Sequence, residues 1–230
     1  MKPIDSVLNF IAPHHCYRCN VEGGVCCQKC LAEIVDPYSG KICYNCNSKS
    51  LNQSGICKHC FPDQSLDSLF WFADYSDPLA SKIVKDLKFY NVFAARQTIS
   101  EVISLGISKI SNPDIITAAP TANKRVRSRG WDQAKLIAKQ SARANRINYK
   151  SLLIRSSSFD QIGATKLQRS TASTRFFKPV RGALINGKVI ILIDDIVTTG
   201  STLNAAAAAL KSAGAKEVHA ITFARQGLRR

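Results

Sequence analysis

Long apolar runs are missing from this sequence of 230 residues. The longest runs, Val189 to Ile193 and Ala205 to Leu210, are far shorter than the ~20 residues that a membrane-spanning helix needs. The first twelve residues contain one lysine, an early Asp5 and no apolar core of the length found in signal peptides. We therefore expect a cytoplasmic protein without membrane insertion.

Glycine and proline are also scarce, with 12 and 8 residues. This scarcity excludes collagen-like and low-complexity chains, and a hydrophobic content of 45% with 21% charged residues excludes wholesale disorder. A chain of this length accommodates one large domain, or one medium domain with a small appendage.

Acidic residues are half as frequent as basic ones, 16 against 32, so the formal net charge is +16. The excess is concentrated in residues 123–181, which contain 15 basic residues and only Asp132 and Asp160 as acids. This density favours a polyanionic partner or a phosphorylated ligand. On charge alone, solubility or weak non-specific binding to RNA explains it equally well.

Cysteine is absent after residue 60, and all nine cysteines lie between Cys16 and Cys60. Eight of them form four C-x-x-C pairs, each of which can direct two thiolates at one cation. Structural disulfides are rare in cytosolic proteins, so the pairs predict two structural zinc sites with four thiolates each. The predicted ligands are Cys16, Cys19, Cys27, Cys30, Cys43, Cys46, Cys57 and Cys60.

The spacing leaves open whether the pairs combine in sequence or interleave, and redox dithiols or buried free thiols are the alternatives to zinc. Cys26 is the odd cysteine and could be a spare thiol. Few large apolar side chains accompany the cysteines, so zinc would supply much of the folding free energy of this segment. Four protein ligands leave no open coordination position, which favours a docking or interaction module over a metalloenzyme centre.

A break at Phe61-Pro62-Asp63 predicts a domain boundary, with a double zinc-binding module in residues 1–66 and a larger domain in residues 67–230. Strand and helix patterns alternate in the larger domain, so the fold class is α/β with a mainly parallel sheet. The predicted strands are 69–75, 114–119, 149–154, 188–193 and 218–224; the predicted helices begin at 78, 92, 131 and 201, and the predicted loops are 121–130 and 156–175.

The sharpest motif is V-I-I-L-I-D-D-I-V-T-T-G-S-T, over Val189–Thr202. A buried strand ends on Asp194 and Asp195, and a loop rich in hydroxyl groups leads directly into a helix. Ligands of open α/β sheets bind beyond the carboxyl ends of the strands, and the helix N-terminus offers N–H groups to an anion. The motif thus predicts a phosphosugar site, with a phosphate at Thr198–Thr202 (the phosphate loop) and ribose hydroxyls on the acids, directly or through Mg²⁺.

This motif resembles the phosphoribosyl pyrophosphate (PRPP) motif of type I phosphoribosyltransferases. The remainder of the chain resembles the ComF family of competence proteins (ComFC- and GntX-like), which joins an N-terminal double zinc ribbon to a phosphoribosyltransferase-like domain. The segments that carry this resemblance are the C-x-x-C pairs, Tyr75–Leu79, Leu87-Lys88-Phe89, the R-G-W-D-Q-A box at 129–134, and Gln161 with Arg169. Ala118-Ala119-Pro120-Thr121 departs from the family's P-V-P-L at the pyrophosphate loop.

The resemblance implies roles for individual residues. Asp194 and Asp195 would be catalytic and would hold the ribose hydroxyls and Mg²⁺. Thr198, Thr199, Gly200, Ser201 and Thr202 would cradle the 5-phosphate, and Thr121–Arg129, with Lys124 and Arg125, would line the pyrophosphate side. Residues 156–175 would form a loop that closes over the site.

Three functions are compatible with these features. The chain is a competence factor that handles incoming single-stranded DNA, an active phosphoribosyltransferase of nucleotide salvage, or a PRPP-sensing adaptor that docks a helicase or DNA-translocation protein through its zinc ribbons. The first is favoured, although no acceptor-recognition segment follows the phosphate loop and catalysis stays undecided. Six aromatic residues near basic residues could stack on bases if exposed, but each is expected to pack in the core: Phe89, Tyr90, Phe93, Trp131, Phe176 and Phe177. The predicted nucleic-acid contacts are Lys88, Arg125, Arg127, Arg129, Lys135, Arg169 and Arg175.

Overall fold

The computed structural model describes residues 14–35, 39–155 and 176–227. Its centre is a five-stranded parallel sheet in the order β1-β7-β6-β2-β3. The strands are β1 (Ser68–Asp74), β2 (Ile115–Ala118), β3 (Asn148–Tyr149), β6 (Val189–Val197) and β7 (Glu217–Arg225). The predicted α/β class with a mainly parallel sheet is therefore confirmed.

Helices cover both faces of the sheet. They are α1 (Gln28–Ile34), α2 (Pro78–Tyr90), α3 (Phe93–Ile107), α4 (Asn123–Arg129), α5 (Gln133–Ala144) and α6 (Ser201–Ser212). The described residues also contain a two-stranded antiparallel sheet of β4 (Leu153–Arg155) and β5 (Phe177–Pro179) and a 3-10 turn at Phe61–Asp63. No helix among the described residues is long and apolar enough to cross a membrane.

Alternation along the strands divides the core into two layers. In β6, Ile191 and Ile193 pack with α2, α3 and α5 on one face, whereas Ile190 and Leu192 pack with α6 on the other. All four side chains are fully buried. The continuous apolar run of β6 is thus the pattern of a strand that is buried on both faces, as the sequence predicts.

The cysteine-rich segment forms two modules that lie on opposite faces of the sheet. The first cysteine module (residues 14–35) packs against the layer of α2 and α3, and the second cysteine module (residues 39–60) packs against the layer of α6. The second module also covers β1, which is an edge strand: the backbone N–H of Leu69 donates to the carbonyl of Ser54 at 2.7 Å. Covering an edge in this way removes a site of unwanted strand pairing.

Two local predictions are wrong. Residues 121–130, predicted as a loop, contain the helix α4, and residues 149–154, predicted as one strand, are divided between β3 and β4. None of the residues of α4 is buried, so the helix has no apolar periodicity to reveal it. Lysine and arginine are nonetheless good helix formers, and Gly130 ends the helix in the left-handed conformation at φ +83°.

Candidate functional site

The carboxyl end of β6 positions two adjacent acids with different surroundings. Asp195 is 4% exposed, whereas Asp194 is half-buried. Each carboxylate accepts a backbone hydrogen bond of 2.8 Å, Asp194 Oδ1 from the N–H of Asp195 and Asp195 Oδ1 from the N–H of Ile196. Burial and the neighbouring Asp195 carboxylate raise the pKa of Asp194 well above its ordinary value, so a bound cation or proton stabilises the pair.

Lys88 supplies a cation to this pair from the last turn of α2. Its Nζ lies 3.0 Å from Asp195 Oδ2, and the two side chains are only 19% and 6% exposed. Trp131, from the R-G-W-D-Q-A box, donates from Nε1 to the carbonyl of Leu87 at 3.1 Å. The box thereby contacts the end of α2 at the residue before Lys88, whose ammonium group reaches Asp195 of β6.

The phosphate loop joins β6 to α6. Gly200 is buried and lies in the left-handed region at φ +71°, while the four hydroxyl residues around it are exposed. Thr199 Oγ1 donates to Ser201 Oγ at 3.0 Å and accepts from the N–H of Ser201 at 3.4 Å, so the loop is ordered by its own side chains. The exposed hydroxyls and the N-terminus of the 12-residue α6 form a surface suited to an anion.

The R-G-W-D-Q-A box also braces the loop after β2. Asp132 accepts from Thr121 Oγ1 at 3.0 Å and from the N–H of Lys135 at 3.1 Å, and it thereby caps α5. Ala118 of β2 pairs with Ile193, directly before the acids. The loop after β2 therefore lies at the carboxyl end of the sheet, as do Asp194 and Asp195. This loop begins the predicted pyrophosphate side, Thr121–Arg129.

Three predicted nucleic-acid contacts lie together on α4. Arg125 and Arg127 are exposed, as is Lys124, and Arg129 stacks over the ring of Phe89 at 5.3 Å. Lys135 is exposed on α5, and Lys88 is the partner of Asp195 described above. Arg169 and Arg175, with the predicted loop 156–175, lie outside the described residues.

Two aromatic side chains at the end of α2 are exposed. Phe89 is 56% and Tyr90 is 73% exposed, so the expectation that they pack in the core is wrong. Phe176 is also exposed, whereas Phe177 is buried in the layer of α6. Helical periodicity in the sequence cannot reveal that Phe89 and Tyr90 are exposed. The last turn of α2 extends past the core, and Asn91 then ends the helix in the left-handed conformation.

The eight predicted zinc ligands converge in two clusters, and they combine in sequence rather than interleaved. Cys16, Cys19, Cys27 and Cys30 form one cluster and Cys43, Cys46, Cys57 and Cys60 the other, with the sulfur atoms of each within 4.8 Å of one another.

The sulfur distances fit a tetrahedral zinc ion. Cys19 and Cys27 Sγ are 3.6 Å apart, and Cys46 Sγ is 3.4 Å from Cys57 Sγ and 3.8 Å from Cys60 Sγ. A tetrahedron with Zn–S bonds of ~2.3 Å has edges of about 3.8 Å. Hydrogen bonds from the Ser48 side chain and backbone lower the pKa of Cys46 to about 6, which favours the thiolate that zinc requires.

Cys26 stands apart from both clusters. Its Sγ lies 3.6 Å from the carbonyl oxygen of Cys27, and burial raises the pKa of Cys26 to about 12. A half-buried thiol with a raised pKa is a poor nucleophile and a poor metal ligand.

Sequence and structure comparisons relate this chain to known proteins. The phosphoribosyl transferase domain family matches residues 137–230. Competence protein ComFC of Bacillus subtilis is 30% identical over 209 residues, which cover 80% of this chain and 84% of the relative. Competence protein F of Haemophilus influenzae is 27% identical over 216 residues, covering 89% and 91% of the two chains.

A third relative is the DNA utilization protein YhgH of Salmonella typhimurium. It is 26% identical over 228 residues, which cover 90% of this chain and 94% of the relative. Among solved structures, the glutamine PRPP amidotransferase of Bacillus subtilis aligns with a TM-score of 0.44 and 18% identity, covering 60% of this chain and 30% of that one.

Proposed function

Since this chain belongs to the ComF family of competence proteins, we propose that it acts in DNA uptake and handles incoming single-stranded DNA on a PRPP-binding scaffold in the cytoplasm. Its relatives are named for competence and DNA utilization, and its larger part has the phosphoribosyltransferase-like fold. A nucleic acid and a phosphoribosyl compound would then both bind at the carboxyl end of the parallel sheet.

The observation that carries the DNA-binding part is the surface formed by α4 and the end of α2. Exposed basic side chains on α4 attract phosphates, and the exposed rings of Phe89 and Tyr90 beside Arg129 offer stacking faces to bases. Proteins that bind single strands without sequence preference combine these two features. The same surface borders Lys88 and Asp195, so DNA and a phosphoribosyl ligand would occupy neighbouring positions.

The phosphoribosyl part follows from the acids and the phosphate loop. Asp194 and Asp195 would accept hydrogen bonds from the ribose hydroxyls, the phosphate loop would bind the 5-phosphate, and Lys124 and Arg125 would face the pyrophosphate. Two carboxylates form a suitable oxygen donor set for Mg²⁺, which would neutralise the diphosphate charge when bound. Lys88 limits the cost of placing two acids side by side, because its ammonium group balances Asp195 in the absence of ligand.

A second candidate function is phosphoribosyl transfer itself. The ordered acid pair and phosphate loop favour it, since these groups hold PRPP in the fold family that the chain matches. In that case Asp194 and Asp195 would orient the ribose, and an acceptor would attack the anomeric carbon with departure of pyrophosphate.

The test of the proposal is the salt dependence of binding to a fluorescent oligo-dT strand, measured by anisotropy. Replacing Arg125 and Arg127 together by Ala should lower the affinity and reduce the slope of log affinity against log salt by about 1.4, at roughly 0.7 per lost phosphate contact. The matched control replaces Lys150 and Arg181 by Ala. These exposed cations line a groove with Asp114 and Lys188, next to the amino-terminal ends of β2 and β6. Their loss should leave the slope nearly unchanged.

A second arm adds PRPP with Mg²⁺. Displacement of the DNA by saturating PRPP would place the two ligands in overlapping sites, and independent binding would place them side by side. Undetectable oligo-dT binding at low salt would overturn the DNA-handling proposal and leave phosphoribosyl transfer as the leading function. Calorimetry without any heat of PRPP binding at millimolar concentration would overturn the phosphoribosyl part.

A further inference from the structure

The second cysteine module lies directly on the phosphate loop. The ring of Tyr44 covers Gly200 so closely that a Cβ atom at residue 200 would lie 2.3 Å from Tyr44 Cε2. Real Cβ contacts do not approach so closely, and Gly200 is therefore required both by its positive φ and by the tyrosine above it. Tyr44 follows the zinc ligand Cys43 in the chain, so the zinc cluster and the loop are joined through one side chain.

Tyr44 is held firmly in this position. It is 1% exposed, its backbone N–H donates to the carbonyl of Gly55 at 2.8 Å, and its hydroxyl donates to Gln64 Oε1 at 2.8 Å. The ring therefore cannot move away from Gly200 without breaking contacts inside the second module.

Further bonds tie the second module and the linker after it to the elements around the loop. Asn204, in the first turn of α6, accepts from the backbone N–H of Ser65 at 2.6 Å. Arg225, at the end of β7, donates to Asn47 Oδ1 at 2.6 Å, and the next residue, Gln226, donates to the carbonyl of Val197 at 2.8 Å, just before the loop. The first module makes its ion pair elsewhere, between Arg18 and the cap residue Asp77 of α2 at 2.6 Å.

We propose that the second cysteine module is a structural part of the phosphate site, with Tyr44 as the positioning residue, so that zinc occupancy of the Cys43–Cys60 cluster and ligand binding at Thr198–Thr202 are thermodynamically linked. The inference rests on the proposed phosphoribosyl function for the identity of the ligand. Zinc orders the turn that carries Tyr44, and Tyr44 orders Gly200 and the first turn of α6. Linkage is reciprocal, so a ligand in the loop must stabilise zinc in the second module by the same factor.

The first test requires no ligand. Hydrogen exchange is followed in peptides spanning Val197–Ala208, which contain the loop and the first turn of α6, where the N–H of Asn204 donates to Gly200. Cys46→Ser, at an exposed ligand of the second cluster, should accelerate exchange there by about tenfold. Cys19→Ser, at the corresponding exposed ligand of the first cluster, is the matched control and should not.

The role of the ring is separated from a general loss of packing by two substitutions. Tyr44→Phe keeps the ring over Gly200 and should retain slow exchange, whereas Tyr44→Ala should reproduce the effect of Cys46→Ser even with zinc bound. Equal exchange in the wild type, Cys46→Ser and Tyr44→Ala would overturn the inference, whatever the protein binds.

The second test uses the wild-type protein and remains decisive if Tyr44→Ala does not fold. Cysteine alkylation during zinc-selective chelation, mapped by mass spectrometry, reports zinc loss from each cluster separately. Ribose 5-phosphate with Mg²⁺ should slow alkylation of the second cluster by about fivefold or more, and that of the first cluster not at all. Equal protection of both clusters, or of neither while calorimetry detects binding, would overturn the linkage. Absence of binding by calorimetry would instead contradict the proposed phosphoribosyl function, and the exchange experiment would still decide the role of Tyr44.

Discussion

Adjacent in sequence, Asp194 and Asp195 differ in what surrounds them. Asp195 is buried and paired with Lys88, so its negative charge is balanced inside the protein. Asp194 has no cation of its own among the described residues, and burial beside the Asp195 carboxylate raises its pKa well above the ordinary value. Such a pair is poised to take up a cation or a hydroxyl donor, and the ligand-free protein bears its electrostatic cost.

We predict opposite stability effects for the two amide substitutions. The folded-state pKa of Asp194 is raised, so its contribution to stability is present at low pH and is lost as the pH rises through that folded value. Asp194→Asn removes the charge and should stabilise the ligand-free protein at pH 8 by about 1 kcal/mol. Asp195→Asn leaves the Lys88 ammonium without its carboxylate and should destabilise it by about 3 kcal/mol.

Urea denaturation of both variants and the wild type between pH 4 and pH 8 measures these effects. The gain from Asp194→Asn should disappear at the acid end, where the wild-type carboxyl is protonated. Equal stability of Asp194→Asn and the wild type at all pH values would contradict an electrostatic cost of the ionised Asp194 carboxylate. The same variant should lose affinity for PRPP with Mg²⁺, because it has lost an ionisable oxygen ligand.

At the scale of elements, the end of α2 and the short helix α4 act as one surface. Trp131 fixes the last turn of α2 through the carbonyl of Leu87, and Arg129 stacks on Phe89, so basic and aromatic groups are held side by side. Phe89 and Tyr90 are exposed, and no residue of α4 is buried. Hydrophobic periodicity reveals only buried positions, so it does not identify this surface. Adjacent exposed rings bordered by basic groups are typical of a surface that binds a partner or ligand.

We predict that Phe89→Ala and Tyr90→Ala each weaken binding to oligo-dT, by about 1–3 kcal/mol for every base that stacks on the ring. Thermal stability should change little, since both side chains are exposed. Leu105→Ala, on the exposed face of α3, is the matched apolar control and should leave the affinity for DNA unaltered. Anisotropy titrations at fixed salt compare the three variants, and unchanged affinity in both aromatic variants would remove these rings from the proposed interface.

At the scale of the whole molecule, the two cysteine modules pack against opposite faces of the sheet. The first adds Val25, Leu31 and Ile34 to the layer of α2 and α3, and the second adds Tyr44 and Ile56 to the layer of α6. Gly55 lies so close to β1 that a Cβ atom there would be 1.8 Å from the carbonyl oxygen of Leu69. The modules and the larger domain thus share continuous hydrophobic cores.

We predict about two zinc ions per chain and a large loss of thermal stability when they are removed. Zinc removal should lower the melting temperature by about 20 °C or more, because structural zinc contributes ~10 kcal/mol or more in small zinc modules and each 1 kcal/mol shifts a chain of this size by about 2–4 °C. Elemental analysis and calorimetry, with and without chelator, measure both quantities. Cys26→Ser, outside both clusters, should retain both ions. Metal-free native protein with freely titrating thiols would contradict the prediction.

The sequence by itself determined the features that depend on near neighbours along the chain. The C-x-x-C spacing identified eight cysteines that the structure gathers into two clusters, and hydrophobic periodicity identified the alternating strands and helices of the parallel sheet. The acids and hydroxyls of Val189–Thr202 also lie within a single strand, loop and helix, so the sequence alone is enough to predict a phosphosugar site there, and ligand binding at it stays a prediction.

Only the tertiary structure decided which distant groups meet. Lys88 is separated from Asp195 by more than a hundred residues, and Tyr44 from Gly200 by more still, so no local pattern couples them. Their contact depends on the strand order and on the face of the sheet that each element covers. Exposure of Phe89 and Tyr90 depends likewise on where α2 extends past the core, because an aromatic side chain has the same local propensities whether a partner covers it or not.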